Sequence, residues 1–238
     1  MSRNSTTQRD VTLNRSELHF RKGLAYSGSF PRIPGIEAAG IVEVAPGGEF
    51  APGTQVVAMM GGMGRTFDGG SAEFVAVPSE LVLPFTSDLP WSVLGAVREM
   101  LQTASGSLRI GLEARAGQTV LIRCGTSSIG MAAAVLAKLR ATRTGGTTCF
   151  TGMLSDEWII HQFYPMDWLP NGVRLTAYSG EAADLLASEL QGFLEAVAVG
   201  RAVVPIGREY GLQDIVQAHT DMEEGVIGGK AVVVLEDS

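Results

Sequence analysis

The run Gly125-Thr126-Ser127-Ser128-Ile129-Gly130 has the spacing of G-x-G-x-x-G, with Ser127 at the middle glycine. Between a strand and a helix, such a turn presents backbone N–H groups and the positive end of a helix dipole to a phosphate. Its first glycine permits a tight turn, its second the approach of pyrophosphate, and its third close packing of helix on strand. Ser127 places a Cβ and a hydroxyl where the phosphate would come close. Affinity then falls, or rests on the hydroxyl as a donor; a packed turn with no ligand fits the same spacing. His19 stands two residues after Glu17 and near Arg21. An imidazole titrating near neutrality suits a general acid, and a core-lining or exposed histidine suits the same place. Cys124 and Cys149 lie near the carboxyl ends of two expected strands and read as buried free thiols. His161 and His219 lack metal-ligand spacing with either cysteine. No G-x-S-x-G nucleophile elbow is present.

The elements that must hold these groups differ along the chain. Up to about Phe85 the text is punctuated by turns: Pro31, Pro34-Gly35, Pro46-Gly47-Gly48, Pro52-Gly53, Gly61-Gly62 and Gly69-Gly70. Between them lie short apolar runs, Gly40–Val44, Gln55–Met59 and Ala72–Val77, which predict a small antiparallel barrel or sandwich. Pro90 to Leu108 reads as a helix, with Asp88 as a possible N-cap. From Gly117 the pattern becomes strand–turn–helix. Gln118–Arg123 is expected as a buried strand, Ile129–Arg140 as an Ala-rich helix and Thr147–Gly152 as a second strand, with parallel pairing between Val120–Arg123 and Thr148–Thr151. A third strand at Val173–Tyr178, helices at 181–199 and 214–224, and a strand at Lys230–Leu235 follow. An aromatic-rich stretch, Trp158, Phe163, Tyr164 and Trp168, suits a pocket wall or a subunit interface.

The 238 residues are 45% hydrophobic and 18% charged, enough to build an ordinary core. A net charge of −7 argues against a nucleic-acid partner, since phosphate binding needs clustered Lys and Arg. No apolar run reaches the roughly 20 residues of a membrane span. The opening Met1–Asp10 is polar, lacks a signal-peptide core and is expected to be disordered. Cytoplasmic residence is the expectation.

Four stretches are familiar. Leu13–Glu17 with Arg21-Lys22-Gly23, Pro34-Gly35-Ile36-Glu37-Ala38-Ala39-Gly40-Ile41-Val42, Gly69-Gly70-Ser71-Ala72-Glu73-Phe74, and Gly117–Gly130 together resemble the zinc-independent, quinone-oxidoreductase-like branch of the medium-chain dehydrogenase/reductase superfamily. The tail Gly229-Lys230-Ala231-Val232-Val233 fits as well. The resemblance implies an α/β chain: a partial GroES-like β-barrel plus a truncated Rossmann domain with a parallel sheet. Residues 11–114 and 181–238 would form the substrate domain and 115–180 the shortened Rossmann domain. It implies NADPH as hydride donor, no zinc, and a small apolar conjugated substrate: a ketone, quinone or enoyl compound. Gly125, Thr126, Ser127, Ser128, Ile129, Gly130 and Gly152 would bind the cofactor. Asn14, Glu17, His19 and Tyr26 would line the catalytic pocket. The family's strands before Asn14 are expected to be missing, as are the central Rossmann units and the ribose-reading residue about 20 positions beyond the turn. NADPH binding should be weak or lost, leaving a cofactor-independent isomerase, cyclase or dehydratase, or a non-catalytic relic, as alternatives. A homodimer through the Val173–Tyr178 edge is the expected assembly.

Overall fold

The computed structural model describes residues 3–24, 28–115, 120–122, 127–140, 147–151 and 174–235. Seven strands form one mixed sheet. Its centre is β1 (Arg3–Leu13), so most of the stretch expected to be disordered is in fact an ordered strand. The physical reason is backbone pairing, which composition does not report. One edge of β1 pairs antiparallel with β2 (Glu37–Val44); the other pairs with β4 (Phe74–Pro78) and then with β9 (Lys230–Val234). Its polar side chains are taken up too. Thr6 and Gln8 are buried, and Gln8 Nε2 donates to the Ala72 carbonyl at 2.8 Å. Outward from β2 come β3 (Gln55–Met59) and β5 (Val82–Pro84), both antiparallel. Gly40 is required where β2 crosses β1, because a Cβ there would lie 2.0 Å from the Thr7 carbonyl oxygen.

Beyond β9 lies β8 (Ile206–Gly211), parallel to it. A parallel neighbour needs a crossover, and α5 (Ile215–Glu223) supplies it. Val11, Leu13, Ala231 and Val233 pack there against Tyr210 and Ala218. Val42, Val56, Met63, Phe67, Val75 and Val77 fill the barrel. Between Arg15 and Arg21 runs the short helix α1.

The long helix α2 (Trp91–Gly106) starts after Pro90, which occupies the cap position in place of Asp88, and continues through a wide turn over Ser107–Gly111. It lies against β1, β2, β3, β8 and β9 on the barrel side and packs on α3 (Ser128–Arg140). Leu94, Leu101 and Ala104 share a core with Ala132 and Leu136 of α3 and Phe193 of α4 (Ala187–Ala198).

The second sheet has two parallel strands among the described residues, β6 (Thr147–Phe150) and β7 (Arg174–Ala177). Among the described residues the parallel partner of β6 is therefore β7, not Val120–Ile122. Val120–Ile122 has no strand structure and Leu121 is 89% exposed; its apolar character does not determine which ladder it joins. Arg123 lies outside the described residues. Among the described residues no helix is long and apolar enough to cross a membrane.

Candidate functional site

Asn14 and Glu17 sit at the corner where β1 turns into α1. Glu17 Oε2 accepts from the Asn14 backbone N–H at 2.7 Å, half of a capping box. Its Oε1 accepts from Ile36 N at 2.9 Å, tying the corner to the start of β2. The Asn14 amide donates to Glu37 Oε1 at 2.8 Å, and Lys230 Nζ donates to Asn14 Oδ1 at 2.5 Å. Three of the familiar stretches thus converge inside the barrel wall.

From the other side α2 drives in Arg98, which is fully buried. Its Nη1 lies 3.1 Å from Asp10 Oδ1, and its Nε lies 3.4 Å from Glu37 Oε2. Nη2 donates to Thr12 Oγ1 at 2.7 Å, and that hydroxyl donates onward to the Gly95 carbonyl at 3.0 Å. Glu37 Oε2 accepts from Glu99 N at 2.8 Å. Lys230 Nζ stands 3.4 Å from both Glu37 and Glu99. Asp10 and Gly95 are in contact so close that a Cβ on Gly95 would fall 1.2 Å from Asp10 Oδ2.

The electrostatics divide the carboxyls. Burial pushes Asp10 up to about 7 although Arg98 draws it down. Burial also lifts Glu17 to about 7, against the pull of its backbone donors. Burial penalises Glu37 too, but Lys230 and Arg98 outweigh it and hold that carboxyl below its ordinary range. Lys230 is likewise penalised by burial, yet Glu37 and Glu99 keep it charged to higher pH than usual.

Asn14 and Glu17 are therefore buried parts of an ion cluster. His19, on the same helix, is 6% exposed. Tyr26 lies outside the described residues. Sequence reasoning passed over Asp10, Arg98 and Glu99. The signal for Arg98 was available: it falls four residues after Leu94 and three before Leu101, on the apolar stripe of α2, where an unpaired charge does not stay.

Of the cofactor turn, Ser127, Ser128, Ile129 and Gly130 are described; Gly125, Thr126 and Gly152 lie outside. Gly130 N donates to Ser127 Oγ at 3.0 Å, and Met131 N to the Ser127 carbonyl at 2.9 Å. Ser127 is thus the N-cap of α3. Ser128 and Ile129 stand in the first turn, whose N–H groups have no carbonyl within a helix to meet. Their placement fits a phosphate.

One turn further along α2, Gln102 Nε2 donates to Tyr178 Oη at 2.7 Å and to the Glu181 carbonyl at 3.1 Å, and Tyr178 donates to Asp184 Oδ2 at 3.1 Å. Burial first, and Asp184 next, push the phenol well above its ordinary value. This clasp ties the end of β7 to α2. Ser107 Oγ meets Thr151 Oγ1 at 2.6 Å, just beyond β6.

Residues 8–87 match the alcohol dehydrogenase GroES-like domain. Over 98–99% of its length the chain superposes on solved structures of one architecture. AibC has a TM-score of 0.84 at 18% identity, with 88% of that chain covered. Mycobacterial Rv1454c, solved with NADPH, has 0.78 at 18% identity with 91% covered. An alcohol dehydrogenase superfamily protein from Novosphingobium aromaticivorans has 0.77 at 18% identity with 92% covered. The chain has the medium-chain dehydrogenase/reductase fold. A curated relative, mycoketide-CoA synthase of Mycobacterium tuberculosis (strain ATCC 25618 / H37Rv), is 33% identical over 132 residues. The match takes in 54% of this chain and 3% of that protein. Within this fold, the motif residues Asn14, Glu37 and Lys230 knit the barrel to α2.

Proposed function

We propose that the chain reduces a conjugated ketone, quinone or enoyl compound with NADPH, which it binds more weakly than a full dinucleotide domain does. The observation that carries this reading is the Ser127-capped N-terminus of α3, a helix packed on α2, whose first N–H groups suit a phosphate. The NADPH reported with Rv1454c supports the choice of nucleotide. A relative named for a coenzyme A conjugate favours enoyl thioesters among the acceptors. When bound, the nucleotide supplies a hydride to the activated double bond. The chain's own residues do the rest: the first N–H groups of α3 hold phosphate, and His19 gives a proton to the enolate. Asn14 and Glu17 fix the corner from which His19 projects.

The parallel sheet, of two strands among the described residues, favours a second reading, an isomerase, cyclase or dehydratase that works without nucleotide. Calorimetry with NADPH separates the two when combined with an NADPH-oxidation assay over a panel of enones and enoyl thioesters. Losing charge-assisted bonds at about 1.5–3 kcal/mol each lowers affinity on the order of 100-fold or more. Weak but saturable binding with oxidation supports the reductase. Low-micromolar binding overturns the weakened site, and substrate conversion with no nucleotide supports the second reading. The proposal includes a homodimer built on β7, whose second edge has no strand partner among the described residues; light scattering that shows a monomer overturns it.

A further inference from the structure

From Val11 to Ile36 the sequence places four cations, Arg15, Arg21, Lys22 and Arg32, against one acid, Glu17, in a chain of net charge −7. The acidic neighbours of this corner are already engaged. Glu17 holds the Asn14 and Ile36 N–H groups, Asp68 meets Arg32 and Ile33 N, and Glu223 meets Arg21.

A further cation arrives from the turn after β3. The N–H groups of Arg65 and Thr66 both donate to the Gly62 carbonyl, at 3.0 and 2.8 Å. Met63 and Phe67, on either side, are buried in the barrel core, and Arg65 between them faces α1, where its Nη2 donates to Ser16 Oγ. Nε is buried without an acceptor, and among the described residues no carboxylate pairs with this guanidinium. A half-buried guanidinium bonded only to a neutral hydroxyl keeps much of its desolvation cost. An arriving carboxylate or phosphate relieves it, and suits its planar fork.

Ser16, His19 and Phe20 share one face of α1 by their spacing of three and four, which sets neighbouring Cβ atoms about 5–6 Å apart. The Arg65 backbone lies along that face. Gly28 is wedged between the two: a Cβ there would fall 2.5 Å from the Phe20 ring and 3.0 Å from the Arg65 carbonyl oxygen. Phe30 lies on Phe20 with ring centroids 4.7 Å apart, and it is 62% exposed. A cation, a hydroxyl and an apolar surface thus stand together within about a turn of His19.

We propose that Arg65 and Ser16 bind the anionic end of the acceptor, a carboxylate or phosphate borne a few bonds from its conjugated double bond. The choice of acceptor rests on the reductase reading above, whereas the anion site stands on its own contacts. The Ser16 hydroxyl accepts from Arg65 and has its own hydrogen to give to the anion. One helical turn separates this anchor from His19, so the charge belongs close to the reacting carbons. On a thioester it sits on the acyl group, not on a distant phosphate. Phe30 offers the carbon chain an apolar wall.

The experiment is a ligand-observed NMR titration of the full chain without nucleotide, using levulinate, its methyl ester and the matching ketophosphonate. One charge-assisted contact should make the carboxylate or the phosphonate bind about ten- to a hundredfold more tightly than the ester, and the tighter of the two names the source of the charge. Arg65→Met should abolish the preference. Arg65→Lys should keep part of it, because lysine supplies the charge without the fork. Equal binding of ester and anions, binding of none of them, a preference that survives Arg65→Met, or displacement of the bound anion by NADP+ would each overturn the proposal. The wild-type comparison decides even where a variant does not fold. NADPH oxidation by acetylacrylate is scored separately. Anion preference without oxidation removes the reductase and keeps the site; oxidation without preference does the reverse.

Discussion

The middle and the far end of α2 meet buried polar partners of different kinds. At mid-length, Arg98 and Glu99 enter a cluster of formal charges from β1, β2, α1 and β9. Near its finish, Gln102 and Ser107 make neutral hydrogen bonds, to Tyr178 and Thr151. Both places are buried, yet they do not carry equal weight. A charge that loses its partner in a dry interior keeps the whole cost of its desolvation, whereas a neutral group that loses one bond often keeps another. The charged middle should therefore fail as a unit, and the neutral end by small steps.

Arg98→Met tests the first half of this contrast and should have the largest effect. Methionine fills most of the arginine volume but takes the guanidinium donors from Asp10 and Thr12 and one of the two cations beside Glu37. Breaking a buried ionic cluster from one side costs about 3–5 kcal/mol, read as a fall in the urea midpoint with an unchanged slope. A loss below about 1 kcal/mol, the size of an exposed ion pair, would show that the cluster contributes nothing beyond packing.

Tyr178→Phe probes the other end. The clasp loses a hydroxyl that receives Gln102 and serves Asp184. Gln102 Nε2 keeps the Glu181 carbonyl, and Asp184 Oδ2 keeps the Glu181 N–H at 2.8 Å. The cost should sit at the low end of about 1–3 kcal/mol. Hydrogen exchange should rise in β7, which the clasp anchors, and stay unchanged in β1. Equal losses from Tyr178→Phe and Arg98→Met would erase the distinction between the charged middle of α2 and its neutral end.

The same contrast explains what could be read from the residues alone. The short strands β2, β3 and β4 were legible because Gly and Pro punctuate them and β-branched residues fill them. The crossover α5 and strand β9 were legible from periodicity. β1 was not, since Arg3–Gln8 carries no apolar stripe and earns its place through backbone bonds to β2 and β4. The cluster was half legible. Asn14 and Glu37 stand in familiar runs, but Arg98 and Asp10 acquire their role only when α2 crosses β1, a contact 88 residues apart in the chain. Val120–Ile122 misled for the converse reason: an apolar run promises burial, and Leu121 lies at the surface.

The smallest expected effect is at the turn before α3. Ser127 holds the place where the G-x-G-x-x-G spacing puts a glycine, and its hydroxyl caps Gly130 N. Alanine removes the cap and keeps the Cβ, so Ser127→Ala should cost about 0.5–2 kcal/mol; glycine at a cap costs only a few tenths. Exposure to phosphate keeps that order. Glycine clears the Cβ and frees the Gly130 N–H, whereas alanine frees the N–H but leaves the obstruction. If α3 receives the pyrophosphate, Ser127→Gly should bind NADPH more tightly than wild type by calorimetry, and Ser127→Ala should gain less. If neither variant changes affinity while urea unfolding shows the capping loss, Ser127 serves the helix alone and the phosphate lies elsewhere.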